Sequence, residues 1–381
     1  MINAPTDINK LKAAIEAAGI VGAGGGGFPS HLKIDSRIKT ILLNCAECEP
    51  LLQVDQQLLA NFAKEILTAL NHLAKALNAT AIVVIKKSYT DAIHAVTNEL
   101  KDFPNISISL LGETYPAGDE VILIYEALGI VVPPGGLPID ANCVVFNTET
   151  IYNMYLAFTH NQLITHKWIT IVGEVKKPTT VYAPIGTSII DAVQKYSGGT
   201  NLPLEECSFI SGGPMMGKIV HGQDKIDKTT KAIIVLPTNH CLVQKNGKNS
   251  TNLNRVASAC CQCRTCTDMC PRYLLGHPIE PHRIMRAMAD RNTKSTAFNG
   301  AMYCSLCGLC ETIACPQSLA PRSLIHEVKN ALSKEGIKPE KCHPLKVELL
   351  RSGRQVSVKR LKLRLDLTKY DVIAPMQLMH K

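Results

Sequence analysis

Apolar residues recur at Ile8, Leu11, Ile15 and Ala18, the spacing of one helix face, and Gly19 ends the run. Residues 39–43 then form a short apolar stretch of strand length. Leu58, Leu59, Phe62, Ile66, Leu70 and Leu73 define a helix over 55–77. A strand over 81–85, a helix over 91–100 and a strand over 106–111 follow. Strands alternating with helices predict an α/β domain with a largely parallel sheet.

Near residue 165 the texture changes. Residues 168–175 alternate and predict a strand, 180–182 a second short one, and 188–196 a helix with Ser188 as N-cap and Ser197-Gly198-Gly199 as its end. With a further strand near Phe209, this order is that of a small β-grasp unit. Residues 245–253 are polar and predict a linker. The expected organisation is an α/β domain over 1–164, the β-grasp domain and its connection over 165–245, a cysteine-rich module over 246–335, and a basic tail over 336–381.

The chain has 381 residues, enough for several domains, and its 46% hydrophobic content is enough to build cores for them. Residues 1–20 interleave apolar positions with Asp7, Lys10, Lys12 and Glu16, so no signal-peptide core is expected. The longest apolar runs, 81–85 and 232–236, are strand-sized, so no membrane span is expected and the cytoplasm is the default location. The formal charge of +9 counts every cysteine as neutral. Any cysteine that binds metal as a thiolate lowers that figure, which argues against a nucleic-acid partner. The basic residues gather in the tail, at Lys346, Arg351, Arg354, Lys359, Arg360, Lys362 and Arg364. A solvated face explains them; a docking patch for an acidic partner is the alternative.

Fifteen cysteines in such a chain point to metal or redox chemistry rather than disulfides. Eight lie in two runs. The first is Cys260-x2-Cys263-x2-Cys266-x3-Cys270-Pro271, the second Cys304-x2-Cys307-x2-Cys310-x4-Cys315-Pro316. A four-iron cube offers one open position per iron. Three thiolates from a short loop reach three corners, and in two-cluster ferredoxins the fourth comes from the other run. The expected sets are Cys260, Cys263, Cys266 and Cys315 for one [4Fe-4S] cluster, and Cys304, Cys307, Cys310 and Cys270 for the other. Structural zinc, the competing reading, uses paired Cys-x2-Cys rather than this doubled four-cysteine spacing. Cys261 is expected to be a packed thiol, and Cys45 and Cys48 core thiols.

Gly22 to Gly27 contains G-x-G-x-x-G, but a helix precedes it where the dinucleotide fingerprint needs a strand. Consecutive glycines still indicate close approach by something flat or phosphorylated. The segment 24–33 (Gly-Gly-Gly-Gly-Phe-Pro-Ser-His-Leu-Lys) resembles the flavin-binding loop of the flavoprotein subunit of respiratory complex I. So do Asn44-Cys-Ala-Glu-Cys-Glu-Pro50, Tyr115-Pro-Ala-Gly-Asp-Glu120 and Asn147-Thr-Glu-Thr150. Residues 115–136, Gly212-Gly-Pro-Met-Met-Gly217 and Ala314-Cys-Pro316 are similar to the cobalamin-reductase branch of that family, and 166–212 to its SLBB-type β-grasp domain. The resemblance implies a complex I flavoprotein-like FMN/NADH domain followed by the β-grasp (SLBB) domain and a two-cluster ferredoxin-like α-helical module. It implies cofactor contacts from Gly24, Gly25, Gly26, Gly27, Phe28, Lys33, Asn44, Glu47, Glu49, Gly118, Asp119, Glu120 and Asn147. The family loop has Ala at the position of Gly26. Relatives carry a barrel-sandwich domain after the cysteine module, and no counterpart to it is expected before Lys381.

The resulting expectation is an NADH-dependent oxidoreductase. FMN takes the hydride, the clusters carry single electrons, and the acceptor implied by the resemblance is cobalamin or a redox partner protein. The acidic residues position cofactors and no acid–base residue is required. No Asp-x-His-x-x-Gly occurs, so a corrin is expected to be a passing substrate. The resemblance also implies a place inside a bacterial microcompartment, with its enzymes or shell as partners. The alternatives are an Rnf-type protein docked on a membrane complex and a ferredoxin-like carrier with a vestigial flavin site.

Overall fold

A computed structural model describes residues 6–244, 249–292, 294–348 and 354–378. The chain forms two compact units. The first gathers residues up to 113, 141–243 and the C-terminal segment from 369; the second gathers 114–140 and 244–368.

The first unit holds two sheets. The amphipathic helix α1 (Ile8–Ala17), capped by Asp7, leads through the glycine segment to β1 (Thr40–Asn44). The long helix α2 (Val54–Leu77), β2 (Thr80–Lys86), α3 (Thr90–Glu99), β3 (Ile106–Leu111), β4 (Cys143–Asn147) and α4 (Thr148–His160) follow. The strand order is β3-β2-β1-β4 and every pairing is parallel, as the alternating pattern predicts. The order reverses between β1 and β4, so the carboxyl ends of these two strands open the crevice where parallel α/β sheets receive ligands. Asn44 and Asn147 end these strands directly opposite one another.

The second sheet contains β5 (His166–Gly173), β6 (Thr179–Pro184), β7 (Cys207–Ser211), β8 (Lys218–Val220) and β9 (Ala232–Pro237), in the order β6-β5-β9-β7-β8. β9 runs parallel to β5 and the other pairings are antiparallel. Helix α5 (Ile189–Ser197), capped by Ser188, buries Ile189, Ala192 and Val193 against this sheet, the β-grasp arrangement expected. Residues 374–377 add to the edge: Thr180 N donates to Pro375 O (3.0 Å) and Gln57 Nε2 to Ala374 O (2.6 Å).

The second unit is mainly helical. Of the expected linker, 245–248 lie outside the described residues, while Asn249–Ala259 is a helix. The pair Thr114–Tyr115 and Val356–Ser357 forms a two-stranded ribbon. The helix Val358–Arg364 buries Val358 and Leu361 while Lys359 and Arg360 face solvent, and Arg364 Nε donates to Thr312 O (3.2 Å). Arg351, counted with them in the sequence, lies outside the described residues. Among the described residues no helix is long and apolar enough to cross a membrane.

Candidate functional site

The glycine segment is a closed loop. Gly22 N donates to Phe28 O (2.8 Å) and Gly27 N to Gly22 O (3.1 Å). Two anchors fix it at Ala23, whose N–H donates to Thr150 Oγ1 (3.0 Å) and whose carbonyl accepts from Lys167 Nζ (3.1 Å). Lys167 is buried and paired with Glu149, whose other oxygen accepts from Trp168 N (2.9 Å). Burial pushes the Lys167 ammonium below its ordinary range, while Glu149 acts in the opposite direction. Gly25 has φ +109°, and a Cβ on Gly25 or Gly26 would meet no atom of the described residues within 4 Å. These two glycines therefore border open space. A Cβ on Gly24 would lie 3.5 Å from the Asn147 side chain. Phe28 is 49% exposed at the loop's end, and Lys33 Nζ donates to Val145 O on β4 (3.0 Å).

The acidic segment after β1 sits at the same strand ends. Asn44 Oδ1 accepts from Ala46 N (3.1 Å). Glu47 is buried, its Oε2 accepts from Asp55 N (2.8 Å), and its Oε1 has no hydrogen-bond partner among the described residues. Lys231 reaches in from the residue before β9, with Nζ 2.7 Å from Asp55 Oδ1 and 3.6 Å from Glu47 Oε1. Asp55 Oδ2 in turn accepts from Asn147 Nδ2 (2.8 Å). Burial, followed by the charge of Asp55, pushes the Glu47 carboxyl up to about 7. Burial disfavours the Lys231 charge, but Asp55 and Glu47 together hold it above its usual range. Glu49 accepts from Met215 N (2.8 Å), and a Cβ on Gly213 would lie 2.3 Å from the Glu49 carboxyl. The Gly-Gly-Pro-Met-Met-Gly segment of the β-grasp domain thus packs against the acidic segment only because position 213 lacks a side chain.

The fold therefore brings Gly24, Gly25, Gly26, Gly27, Phe28, Lys33, Asn44, Glu47, Glu49 and Asn147 together in the first unit. Gly118, Asp119 and Glu120 belong to the second. There Asp119 caps the helix Glu120–Leu128 through Val121 N and accepts a two-pronged contact from Arg272 (3.1 and 2.9 Å). Asp55, Lys167 and Lys231 were not anticipated from sequence. The one local signal is a lysine directly before the apolar run 232–236, a charge at the mouth of a buried strand.

In the second unit the eight cysteines separate into two sets. Cys260, Cys263, Cys266 and Cys315 line one cavity of about 300 Å³. Cys270, Cys304, Cys307 and Cys310 line another of about 340 Å³. Each set combines three cysteines of one run with the last cysteine of the other. Pro271 opens the helix Pro271–Leu274 immediately after Cys270. The extra residue before Cys315 is absorbed by a wider π-turn over Cys310–Ala314. Gln262 Nε2 donates to Cys260 Sγ (3.2 Å), Thr265 Oγ1 to Cys263 Sγ (3.4 Å), Leu306 N to Cys304 Sγ (3.3 Å) and Leu319 N to Cys315 Sγ (3.4 Å). Donors of this kind tune cluster potentials. Burial pushes the Cys266 and Cys270 thiols up to about 12, so these groups become thiolates only against bound metal. Among the described residues no group of His, Cys, Asp and Glu is arranged to hold a single metal ion. All-sulfur donors suit zinc and iron–sulfur clusters alike, but thiols spread around a cavity rather than gathered on one point fit a polynuclear cluster. Cys261 is exposed and lines the first cavity, so it is not the packed thiol expected.

Comparison with known proteins agrees with this layout. Residues 15–156 match the Nuo51 FMN-binding domain, 168–218 the SLBB domain and 259–320 a 4Fe-4S dicluster domain. The chain is 37% identical to the cobalamin reductase PduS of Citrobacter freundii, over 97% of this chain and 82% of that protein. It is 30% identical to a component of the Na(+)-translocating ferredoxin:NAD(+) oxidoreductase complex of Acetobacterium woodii, over 70% of this chain and 59% of that protein. The fold resembles a chain of an air-oxidised NAD+-reducing [NiFe]-hydrogenase, with a TM-score of 0.58 at 16% identity over 97% of this chain and 67% of the other.

Proposed function

This chain belongs to the cobalamin reductase PduS family, and we propose that it carries electrons from NADH, by way of FMN and two [4Fe-4S] clusters, to a cobalamin acceptor. The family and domain matches make the chain an electron-transfer oxidoreductase with an FMN-binding domain and a 4Fe-4S dicluster domain. The observation that carries the two-cluster path is the crossed sorting of the eight cysteines of the two runs, four to each of two cavities.

When bound, FMN would exchange a hydride for single electrons and the clusters would relay them. The chain's own residues bind, orient and tune. Gly25 and Gly26 leave the space a ring system or phosphate needs, and Asn147 faces the loop beside them. Lys33, Asn44, Glu47 and Glu49 complete the cofactor site of the first unit in our reading; Gly118, Asp119 and Glu120 are read as cofactor or donor contacts of the second. Lys167 and Thr150 fix the loop through Ala23, and Lys231 fixes Asp55 and hence Asn147. Hydride transfer asks no proton of the protein, so the carboxylates act as positioning groups. The two cysteine sets serve as cluster ligands, and Gln262 and Thr265 adjust the more exposed cluster through its sulfurs. The same family relationship supports a cytoplasmic protein packaged with microcompartment enzymes or shell.

The test is NADH oxidation by anaerobically purified protein offered cobalamin, ferredoxin and viologen in parallel. Cobalamin reduction that depends on bound FMN supports the reading. Absence of FMN together with absence of NADH oxidation would sink it in favour of a simple carrier. The relationship to the ferredoxin:NAD(+) oxidoreductase component keeps a second reading in view, docking on a membrane complex; ferredoxin outcompeting cobalamin, with the protein recovered in membranes, would favour it.

A further inference from the structure

The first cavity has more sulfur than a four-iron cube has corners. Five thiols line it: Cys260, Cys261, Cys263, Cys266 and Cys315. Cys266 is buried, Cys260 and Cys315 are half-buried, and Cys261 and Cys263 are exposed. The strand of chain that carries them turns sharply, because Gln262 and Arg264 both adopt left-handed backbone conformations (φ 55° and 66°). Residues 260 to 264 therefore wrap the mouth of the cavity instead of running past it. The second cavity is different, with four cysteines and no fifth among the described residues.

Resting on the cluster reading above, we propose that Cys261 is a reserve ligand of this site, able to take the iron corner held by Cys260. Cys260 is the ligand whose replacement the chain permits. It is the neighbour of Cys261 in sequence, and the residue between Cys261 and Cys263 already has the left-handed geometry that a shift of one residue can use. Cys266 and Cys315, held by helix packing and a backbone N–H to sulfur, have no such neighbour. In the exchange the Fe–S bond to Cys260 breaks and one to Cys261 forms. Cys261 gives up its proton and Cys260 takes one up, so charge is conserved and no electron moves. The consequence is that the more exposed cluster survives loss or oxidation of its outermost replaceable ligand, whereas the buried one does not survive loss of any.

The experiment is iron and acid-labile sulfide content of the full chain after anaerobic reconstitution, with the electron paramagnetic resonance spectrum of the dithionite-reduced protein. Cys260→Ala and Cys261→Ser are each expected to keep both clusters, Cys260→Ala with an altered spectrum of the exposed cluster. The double variant Cys260→Ala/Cys261→Ser is expected to lose that cluster, about half the iron, while circular dichroism stays that of the wild type. Cys304→Ala provides the comparison for loss of the other cluster. If Cys260→Ala alone loses as much iron as the double variant, the inference is wrong and the dicluster reading stands. If the wild-type chain takes up no cluster, both fall.

Discussion

Replacing Lys231 tests the electrostatic design of the candidate flavin site. Its ammonium lies 2.7 Å from Asp55 and 3.6 Å from Glu47, and the three side chains are 6%, 2% and 3% exposed. Lys231→Met leaves two carboxylates buried together without their cation. Removing one partner of a buried pair costs about 3–5 kcal/mol. In a unit of roughly 200 residues each kcal/mol moves the melting temperature by about 2–4 °C, so a fall of about 6–20 °C is expected. The single tryptophan, Trp168, is buried on β5 in the same unit, so its fluorescence follows this unit's unfolding in the cofactor-free chain. Lys225→Met, at an exposed position a few residues away, is the control and is expected to fall within about 0.5 kcal/mol of wild type. Adding Asp55→Asn to Lys231→Met should cost less than the sum of the single changes, with a coupling of about 0.5–3 kcal/mol. If Lys231→Met is no more costly than Lys225→Met, the buried network does not hold the site.

Three further changes probe the same region. Gly26→Val places a side chain where no atom of the described residues lies within 4 Å, so stability should change by less than about 0.5 kcal/mol while FMN affinity, measured by fluorescence titration, falls more than about tenfold. Gly213→Ala drives a methyl into the Glu49 carboxyl at 2.3 Å, and is expected to destabilise the first unit by about 1–3 kcal/mol in urea unfolding; a neutral result would show that the β-grasp segment does not seat Glu49. Glu47 is raised from 4.5 to about 7 by burial, so the fold binds its proton more tightly than the unfolded chain does; its contribution to stability is present below pH 4.5 and is lost as the pH rises through about 7. Glu47→Gln mimics the protonated form and should flatten that decline in the urea midpoint between these pH values, and an unchanged slope would refute the assignment.

The sequence pattern carried most of the first unit because its signals are local. Twelve of the residues in α2 are buried, and they repeat with the helical period that marks it in the sequence. The parallel strands are continuous apolar runs for the same reason: both faces of β1 and β2 are covered. The cysteine sets were equally legible, since the spacing is itself the chemistry. What escaped has long-range causes. Residues 114–140 pack with the second unit through a two-residue ribbon and the Asp119–Arg272 pair, and neither has a period. The end of the tail is held through its own backbone atoms, the Ala374 carbonyl accepting from Thr180 Oγ1 and the Pro375 carbonyl from Thr180 N, so the tail's side chains carry no signal of it. Lys231 acquires its role only when β9 enters the β-grasp sheet. The exposed position of Cys261 depends on two left-handed residues, Gln262 and Arg264, neither of them glycine.

The proposed single path from flavin to clusters is tested most directly by adding NADH to anaerobic, FMN-loaded, cluster-reconstituted protein while following the flavin absorbance and the paramagnetic signals of the clusters. Flavin bleaching is expected together with cluster reduction, and no cluster reduction is expected in FMN-free protein. Cys304→Ala should retain flavin bleaching but lose electron delivery to cobalamin. Clusters that NADH reduces equally well without FMN, or that stay oxidised when the flavin bleaches, would contradict the path.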